Sequence, residues 1–531
     1  MTDRYRKFRS AGQQLLVAIS VIVSGTATVG AQAATLALSD VPLFLLESTP
    51  PNLAISYDDS GSMMWAYLPD SIRNHANVQT RAATKSNFHN KMYYNPEVDY
   101  RPGLNANGDS LGEANFFGAF TNLYNHGNEA PYGLARPVSV DLSSAFQPIW
   151  NVTTIGSWGQ RYSGPVEPAY YYNRIAGCTG TALDDACYTK VVVSAASGPM
   201  RARPDQGFAF SSDERTNFAN WYQYYSYRTL AGKTVLSRAF SPENISSSIR
   251  VAHQTINQRG VRSGDPGASN YGGNQHVAQF NTSERNFFYQ WLQNLRINGG
   301  TPLLPATRAV GDYFSIAGTN SPYSVNPGSG GADQISCRVN AHILLSDGYW
   351  NSGGQQNNIT RDEDTIALPD GTSYNPGSLD HNIYQDAQPQ VTLADVAFNY
   401  WATDLSPLQN NVPPYFPSAT GSVVRDYWNP VNDPANWQHM VNFNIAFGIA
   451  GLVPLTKTAY DALIDGNSFV NADNANQTGW TVLGSSDEAK ADDMYHAALN
   501  SRGQFFSASN PDELVDSLVS VMNAIADRES S

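Results

Sequence analysis

Cysteine and positive charge are both scarce in this chain of 531 residues. Its three cysteines show no spacing typical of a zinc site, so a cysteine-based structural zinc is excluded. Against 46 aspartate and glutamate residues the chain has only 32 lysine and arginine residues, and its net charge is −14. A balance this acidic argues against nucleic acid or anionic lipid as the main partner, and we expect no nucleic-acid function.

Hydrophobic runs long enough to cross a membrane are missing after the N-terminus. Residues 1–33 have the order of a secretory signal peptide: a basic start, an apolar stretch from Leu15 to Val23, and an A-x-A cleavage motif at Ala31–Ala33. An uncleaved N-terminal anchor is the alternative, but the apolar stretch is too short to span a bilayer. We therefore predict export, with no transmembrane segment in the mature chain.

Sequence motifs of catalysis are also missing. No nucleophile elbow, glycine-rich phosphate loop or paired-carboxylate hydrolase pattern stands out. This favours a protein that is not an enzyme.

Two of the cysteines lie close together. Cys178 and Cys187 occur in the short polar stretch GCTGTALDDACY. In an oxidising compartment this spacing predicts a local disulfide. Cys337 is then left over, either as a buried thiol or as the partner of a group outside this chain.

Strand and helix patterns alternate along the chain. Strands are predicted at 52–58, 248–256, 275–281, 339–347 and 441–451. Helices are predicted at 213–240, 283–295 (capped by Thr282 or Ser283) and 392–405, before a final helix, strand and helix that begins at Pro511. This order predicts an α/β fold with a doubly wound, mostly parallel sheet. Segments of about 66–210 and 348–391, rich in Gly, Asn, Pro and Tyr, are predicted as large loop insertions, the first large enough for a subdomain.

Small oxygen-bearing side chains follow the first predicted strand in NLAISYDDSGSMMW. Asp58, Ser60 and Ser62 offer one carboxylate and two hydroxyls within five residues. These hard donors suit Mg²⁺, Mn²⁺ or Ca²⁺ rather than zinc or copper. The same five residues are also typical of a turn or a helix N-cap, so the motif alone leaves both interpretations open.

Two distant segments favour the interpretation as a metal site over that as a turn. Thr301 lies in NGGTPLLPATRA, and Asp347 ends the predicted strand in HILLSDGYWN. Because ligands bind beyond the carboxyl ends of parallel strands, Asp58 and Asp347 are expected at one edge of the sheet. D-x-S-x-S, then a loop threonine, then a strand-terminal aspartate resembles the metal-ion-dependent adhesion site of von Willebrand factor type A domains.

That resemblance implies a set of metal contacts. Ser60, Ser62 and sometimes Thr301 would bind the ion directly, whereas Asp58 and Asp347 would act largely through water. Mg²⁺ is the first choice, with Mn²⁺ and Ca²⁺ as alternatives. One coordination position would remain for a carboxylate of a partner.

Several stretches together narrow the resemblance: DDSGSMMW, NFANWYQYYSYRTLAGKTVLSRAF, NGGTPL, CRVNAHILLSDGYWN and DDMYHAALNSRGQFFSASNPDEL. They resemble the type IV pilus tip adhesin and assembly family and are spread from about residue 40 to 526. The resemblance implies a von Willebrand factor type A-like domain over 34–531. It also implies a place in the periplasm, outer membrane or cell surface at the pilus tip, with pilins, other tip proteins, and a host or abiotic surface as partners. The family's usual C-terminal β-propeller is expected to be absent, so its calcium-linked functions are not transferred.

The leading interpretation is a metal-dependent, non-enzymatic binding module involved in pilus assembly and surface attachment. One alternative is an exported metal-dependent hydrolase that uses the same oxygen cluster. The other is a subunit of a cytosolic metal-insertion machine, against which the signal peptide argues. A second acidic stretch, RDEDTIALPDG, contains Asp362 but does not match the EF-hand spacing, so we expect a solvated loop there. His496 is expected to be a packed or capping residue.

Overall fold

The computed structural model describes most of the chain beyond residue 48. The described ranges are 49–121, 139–151, 161–162, 164–198, 213–265, 276–295, 297, 299–329, 333–351, 358–386, 388–484, 486–508 and 511–529. The predicted signal peptide lies outside them. Within these ranges, no helix combines the length and the apolar character that crossing a bilayer requires.

A central six-stranded sheet organises the structure. Its strands are β1 (Asn52–Tyr57), β2 (Arg250–Thr255), β3 (Ala278–Gln279), β4 (Asn340–Ser346), β5 (Val441–Phe447) and β6 (Phe505–Ala508). They lie in the order β6-β5-β4-β1-β2-β3, and every neighbouring pair is parallel except β2 and β3 at one edge. The prediction of an α/β fold with a mostly parallel sheet is confirmed.

Helices connect these strands. They are α1 (Glu214–Tyr224), α2 (Arg228–Ala239), α3 (Thr282–Gln293), α4 (Leu303–Phe314), α5 (Leu393–Ala402), α6 (Val423–Trp428), α7 (Lys457–Asp465), α8 (Glu488–Asn500) and α9 (Pro511–Glu529). Short 3-10 helices occur at Gly61–Met64, Asp70–Asn74, Val78–Thr80, Ala83–Lys85, Asp185–Cys187, Gly318–Asn320 and Leu379–Tyr384.

The prediction of one continuous helix over 213–240 is wrong, because the structure has two helices there. The break lies at Tyr225–Tyr227, where Tyr227 is extended. Side-chain hydroxyl groups donate hydrogen bonds to backbone carbonyls around the break. Ser226 Oγ donates to Tyr222 O at 2.8 Å, and Thr234 Oγ1 donates to Tyr224 O at 2.9 Å. Such bonds compete with the helical pattern. The cap of α3 is likewise Asn281, whose side chain accepts from Glu284 N, rather than Thr282 or Ser283.

The helices cover both faces of the sheet, as the side chains of β1 show. Tyr57 reaches α2, where its hydroxyl lies 3.5 Å from Thr229 O and its ring lies against Gly232. The preceding residue, Ser56, accepts from Gln254 Nε2, which also donates to Ala306 O of α4. Consecutive residues of a strand point to opposite faces, so α2 and α4 lie on opposite sides.

Two-stranded antiparallel ladders lie outside the central sheet. They pair Ala119–Phe120 with Ser139–Val140, Ile149–Asn151 with Arg161–Tyr162, Tyr170–Arg174 with Tyr188–Val192, Ile366–Ala367 with Ser373–Tyr374, and Ser468–Val470 with Asn476–Thr478. Cys178 and Cys187 lie between the strands of the third ladder and form a disulfide, as predicted. Cys337 is a partly buried free thiol whose Sγ lies 3.4 Å from Thr49 Oγ1.

Polar side chains form a buried row across the sheet. Ser56 Oγ lies 2.8 Å from His342 Nε2, and His342 Nδ1 lies 2.7 Å from Asn442 Oδ1. All three residues are almost fully buried. Burial lowers the pKa of His342 to about 4, because the charged imidazolium would lose its hydration.

This histidine should make the protein less stable in mild acid. Its folded pKa lies below the unfolded value of about 6.5, so its contribution to stability is complete above that pH and is lost as the pH falls towards 4. Between pH 7 and pH 5 the wild-type free energy of unfolding should fall by about 2 kcal/mol more than that of His342→Gln. Urea unfolding at both pH values measures this difference. An equal loss in the two proteins would contradict the assignment.

Candidate metal centre

Asp58 and Asp347 begin the loops that leave two neighbouring parallel strands. Tyr57 of β1 pairs with Leu345 of β4, and Asp58 N donates to Leu345 O at 2.9 Å. From β1 the chain continues to β2 on one side, whereas from β4 it continues to β5 on the other side. The point between β1 and β4 is therefore a switch in strand order, where open α/β sheets have their binding crevice.

The loop after β1 aims two hydroxyls at one point. Asp58 Oδ1 accepts from Ser60 N at 2.8 Å and Oδ2 accepts from Ser346 Oγ at 2.5 Å, which holds the turn on the end of β4. Ser60 Oγ and Ser62 Oγ lie 3.0 Å apart. Ser60 precedes the 3-10 helix at Gly61–Met64, but its side chain makes no capping bond. The turn interpretation therefore accounts for Asp58 and for the hydrogen bond between the two hydroxyls, but neither hydroxyl caps the short helix.

The loop that carries Thr301 lies against this turn. Gly61 N donates to Gly299 O at 3.1 Å, and Asn257 Nδ2 donates both to Asp59 Oδ1 and to Gly300 O. A Cβ on Gly299, which has a φ of +100°, would lie 2.7 Å from Asn257 Oδ1. The glycine is required because its backbone is left-handed and closely packed.

Thr301 itself is held through its backbone. Its N donates to Asn351 Oδ1 at 2.9 Å, and its O accepts from Asn351 N at 3.0 Å. Among the described residues, no hydrogen bond joins the Thr301 side chain to Asp58, Ser60 or Ser62. The structure thus brings the threonine loop to the serine loop through backbone and asparagine hydrogen bonds.

A buried arginine holds Asp347. Arg228 Nη1 donates to Asp347 Oδ2 at 2.7 Å, and Arg228 Nη2 donates to Asp70 Oδ1 at 2.5 Å and to Tyr67 O at 2.6 Å. The arginine is fully buried, and its guanidinium lies 5.2 Å from the centre of the Trp65 ring. Sequence reasoning missed Arg228, which begins α2 and is more than 100 residues from both aspartates.

Negative charge is in excess around the site. Burial, followed by the nearby Asp347 carboxylate, raises the pKa of Asp58 to about 8. Burial also raises the pKa values of Asp59 and Asp70 above the ordinary range. Within the described part of the chain, Arg228 is the only basic side chain that forms ion pairs with these four carboxylates. A buried group of this composition favours an additional cation.

Comparison with characterised proteins identifies relatives. The chain is 34% identical over 536 residues to the type IV pilus biogenesis factor PilY1 of Pseudomonas aeruginosa strain PAO1, covering 96% of this chain. The chain resembles type IV pilus biogenesis factors. PilY1 of strain PAK is 33% identical over 96% of this chain, and PilY1 of strain UCBPP-PA14 is 32% identical over 98%. The family resemblance predicted from the sequence is confirmed.

The match covers only part of each relative. The chain spans 41% of the length of PilY1 from strain PAO1 and 42% of that from the other two strains. No family model matches the chain. A solved structure, the pilus adhesin SpaC of Lactobacillus rhamnosus GG in its open conformation, overlaps 56% of this chain and 28% of that chain at 13% identity and a TM-score of 0.24. This similarity is too low to bear on fold or function.

Proposed function

We propose that this chain is a metal-dependent adhesion module of the von Willebrand factor type A kind in a protein associated with the type IV pilus tip. The observation that carries the proposal is the pair of serine hydroxyls, 3.0 Å apart, beside the buried carboxylates of Asp58 and Asp347 at the switch point of the sheet. The names of the PilY1 relatives support a role in pilus biogenesis.

The residues present fit a hard divalent cation. Ser60 and Ser62 offer hydroxyl oxygens that do not cap a helix. Arg228 donates to Oδ2 of Asp347, and among the described residues no hydrogen bond reaches its Oδ1. Both oxygens of Asp58 accept bonds from the protein, which suits contact with an ion through water. Mg²⁺ retains several waters, so such a mixed set suits it, with Mn²⁺ and Ca²⁺ as alternatives.

The bound cation would supply a Lewis-acid position for an acidic group of a partner. Ser60 and Ser62 would orient the ion, Thr301 would place the neighbouring loop, and Asp58 and Asp347 would balance the positive charge. A pilin or another tip protein is the expected partner during assembly, and a host or abiotic surface is the expected partner during attachment. The site would act by binding, at the periplasm, outer membrane or cell surface.

Metal binding is the first test. We expect Ser62→Ala to weaken Mn²⁺ binding at least tenfold, because it removes a direct ligand, and Asp347→Asn to weaken it at least as much, because it removes balancing charge. Ser248→Ala is the matched control, since Ser248 Oγ also lies close to a second serine, 2.8 Å from Ser246 Oγ, but on an exposed turn. Calorimetry with Mg²⁺ and Mn²⁺ measures all four proteins, and circular dichroism checks their folding.

Two results would contradict the proposal. One is a wild-type protein that binds neither ion at millimolar concentration. The other is equal affinity in Ser62→Ala and Ser248→Ala.

Retention of the chain on carboxylate-coated beads then tests adhesion. Retention should require Mg²⁺, be lost with EDTA, and be weaker for Ser62→Ala than for Ser248→Ala.

A further inference from the structure

A second group of metal-ligating side chains lies away from the Asp58 site. One ligand atom each from Asp362, Asp386 and His496 lies within 4.8 Å of the others. Asp362 and His496 are 0% and 1% exposed, so the expectation of a solvated loop is wrong for Asp362. The cluster joins the segment between β4 and α5 to helix α8.

We propose that Asp362, Asp386 and His496 bind a divalent transition-metal ion, with Zn²⁺ as the best fit, which fastens residues 358–386 to α8. The site is independent of the proposed adhesion centre and shares no residue with it.

The hydrogen bonding of His496 is the first observation behind this proposal. His496 Nε2 lies 2.9 Å from the backbone oxygen of Tyr384, which can only accept, so Nε2 carries a proton. In a neutral imidazole Nδ1 is then an acceptor, and it lies 3.6 Å from Asp386 Oδ2, another acceptor. Two facing acceptors repel each other unless a proton or a metal ion lies between them. Asp362 Oδ2 lies 3.8 Å from the other ring nitrogen, Nε2. Metal-binding histidines commonly donate their second nitrogen to a backbone carbonyl in this way.

A buried amide adds an independent observation. Asn500 is fully buried, and its Nδ2 donates to Asp362 Oδ2 at 2.8 Å, so the amide lies against the cluster. Its Oδ1 has no donor among the described residues. The same holds for the buried Oε2 of Glu363, whose carboxylate lies within 4.8 Å of Asp362 and Asp395. Buried oxygens without donors are costly unless something else satisfies them.

Charge compensation is uneven across this region. Arg361 pairs with Glu363 at 2.8 Å and with Asp395 at 3.2 Å. Within the described residues, no lysine or arginine lies within 4.0 Å of the carboxylates of Asp362 or Asp386. The group formed by Asp362, Asp386 and His496 therefore has a greater need for a cation than the neighbouring carboxylates of Glu363 and Asp395.

The donors determine the kind of ion. A histidine nitrogen combined with carboxylate oxygens suits Zn²⁺, whereas Mg²⁺ and Ca²⁺ prefer oxygen donors alone. The stacking of His496 on Trp480, with ring centres 4.4 Å apart, holds the imidazole in place for coordination. The competing explanation is a protonated His496 that pairs with both aspartates and needs no metal.

A zinc titration separates these explanations. It is performed by calorimetry on the whole chain carrying Ser62→Ala, in excess Mg²⁺, so that the adhesion centre does not contribute. We expect one equivalent of Zn²⁺ to bind at micromolar concentration, and Asp386→Asn to weaken it at least tenfold. Asp364→Asn is the control in the same segment, because Asp364 is exposed and outside the cluster, and it should bind like its parent.

A second readout does not depend on affinity. Zn²⁺ should slow proteolytic cleavage within 358–386 in the parent and in Asp364→Asn, but not in Asp386→Asn. The proposal is overturned if no zinc binds at 100 µM, as a protonated histidine would predict, or if Asp386→Asn binds and is protected like Asp364→Asn. Because these proteins share the Ser62→Ala change, failure here leaves the test of the adhesion centre unaffected.

Discussion

Replacing Arg228 with methionine should lower the free energy of unfolding by about 3–5 kcal/mol. The guanidinium donates to Asp70, Asp347 and the backbone oxygen of Tyr67, and all three residues are buried. Methionine keeps much of the side-chain volume but leaves two buried carboxylates without their cation. Urea unfolding at pH 7 measures the loss.

Two further variants show that the loss arises from the buried charges. Lys457→Met breaks an exposed pair with Asp461, in which the lysine side chain is 84% exposed, and should cost less than about 1 kcal/mol. Adding Asp70→Asn to Arg228→Met should recover part of the loss, because it removes one of the stranded charges. A cost for Arg228→Met no larger than that of Lys457→Met would show that this ion-pair network is not important for folding.

Replacing Trp401 with alanine should cost about 3–5 kcal/mol of stability. The indole is fully buried, its Nε1 donates to Asp433 Oδ1 at 3.1 Å, and it packs edge-on against Trp437. The Arg502 guanidinium, also buried, lies 4.1 Å from the centre of the Trp401 ring. The change therefore leaves a cavity, removes a donor from a buried carboxylate and uncovers a buried cation.

Trp401→Phe is the matched variant for this prediction. It keeps an aromatic face for Arg502 but loses the hydrogen bond to Asp433. Its free energy of unfolding should therefore lie between those of wild type and Trp401→Ala. Val423→Ala, at a side chain that is 85% exposed, should change stability by less than about 0.5 kcal/mol. Similar values for Trp401→Ala and Val423→Ala would contradict the assigned role of the indole.

Local patterns were sufficient for much of the fold. The runs around Asn52–Tyr57 and Asn340–Ser346 predicted strands because apolar residues of strand length were bounded by polar turns. The prediction of one helix over 213–240 failed between α1 and α2, because the helical spacing of Phe218, Trp221, Tyr222 and Tyr225 runs up to the break without marking it. In the structure the extended backbone of Tyr227 and the hydroxyl bonds of Ser226 and Thr234 mark the end of the first helix.

The polar row on the sheet shows a second limit. Ser56, His342 and Asn442 are polar residues within largely apolar strands, and in the structure two hydrogen bonds join them across three neighbouring strands. A sequence pattern indicates which face a residue occupies, but not which residue on another strand lies opposite. That depends on strand order and register, which arise from pairing across distant parts of the chain.

The sequence by itself determined the family resemblance, the candidate ligands Asp58, Ser60, Ser62, Thr301 and Asp347, and the short disulfide, because each rests on residue types at readable spacing. Tertiary structure alone decided how these ligands are held: Arg228 on Asp347, Asn257 on the glycine loop and Asn351 on Thr301. It also buried Asp362 beside His496, more than 130 residues away. The physical reason is that hydrogen bonds and ion pairs between side chains depend on distance in space, which strand order establishes only after folding.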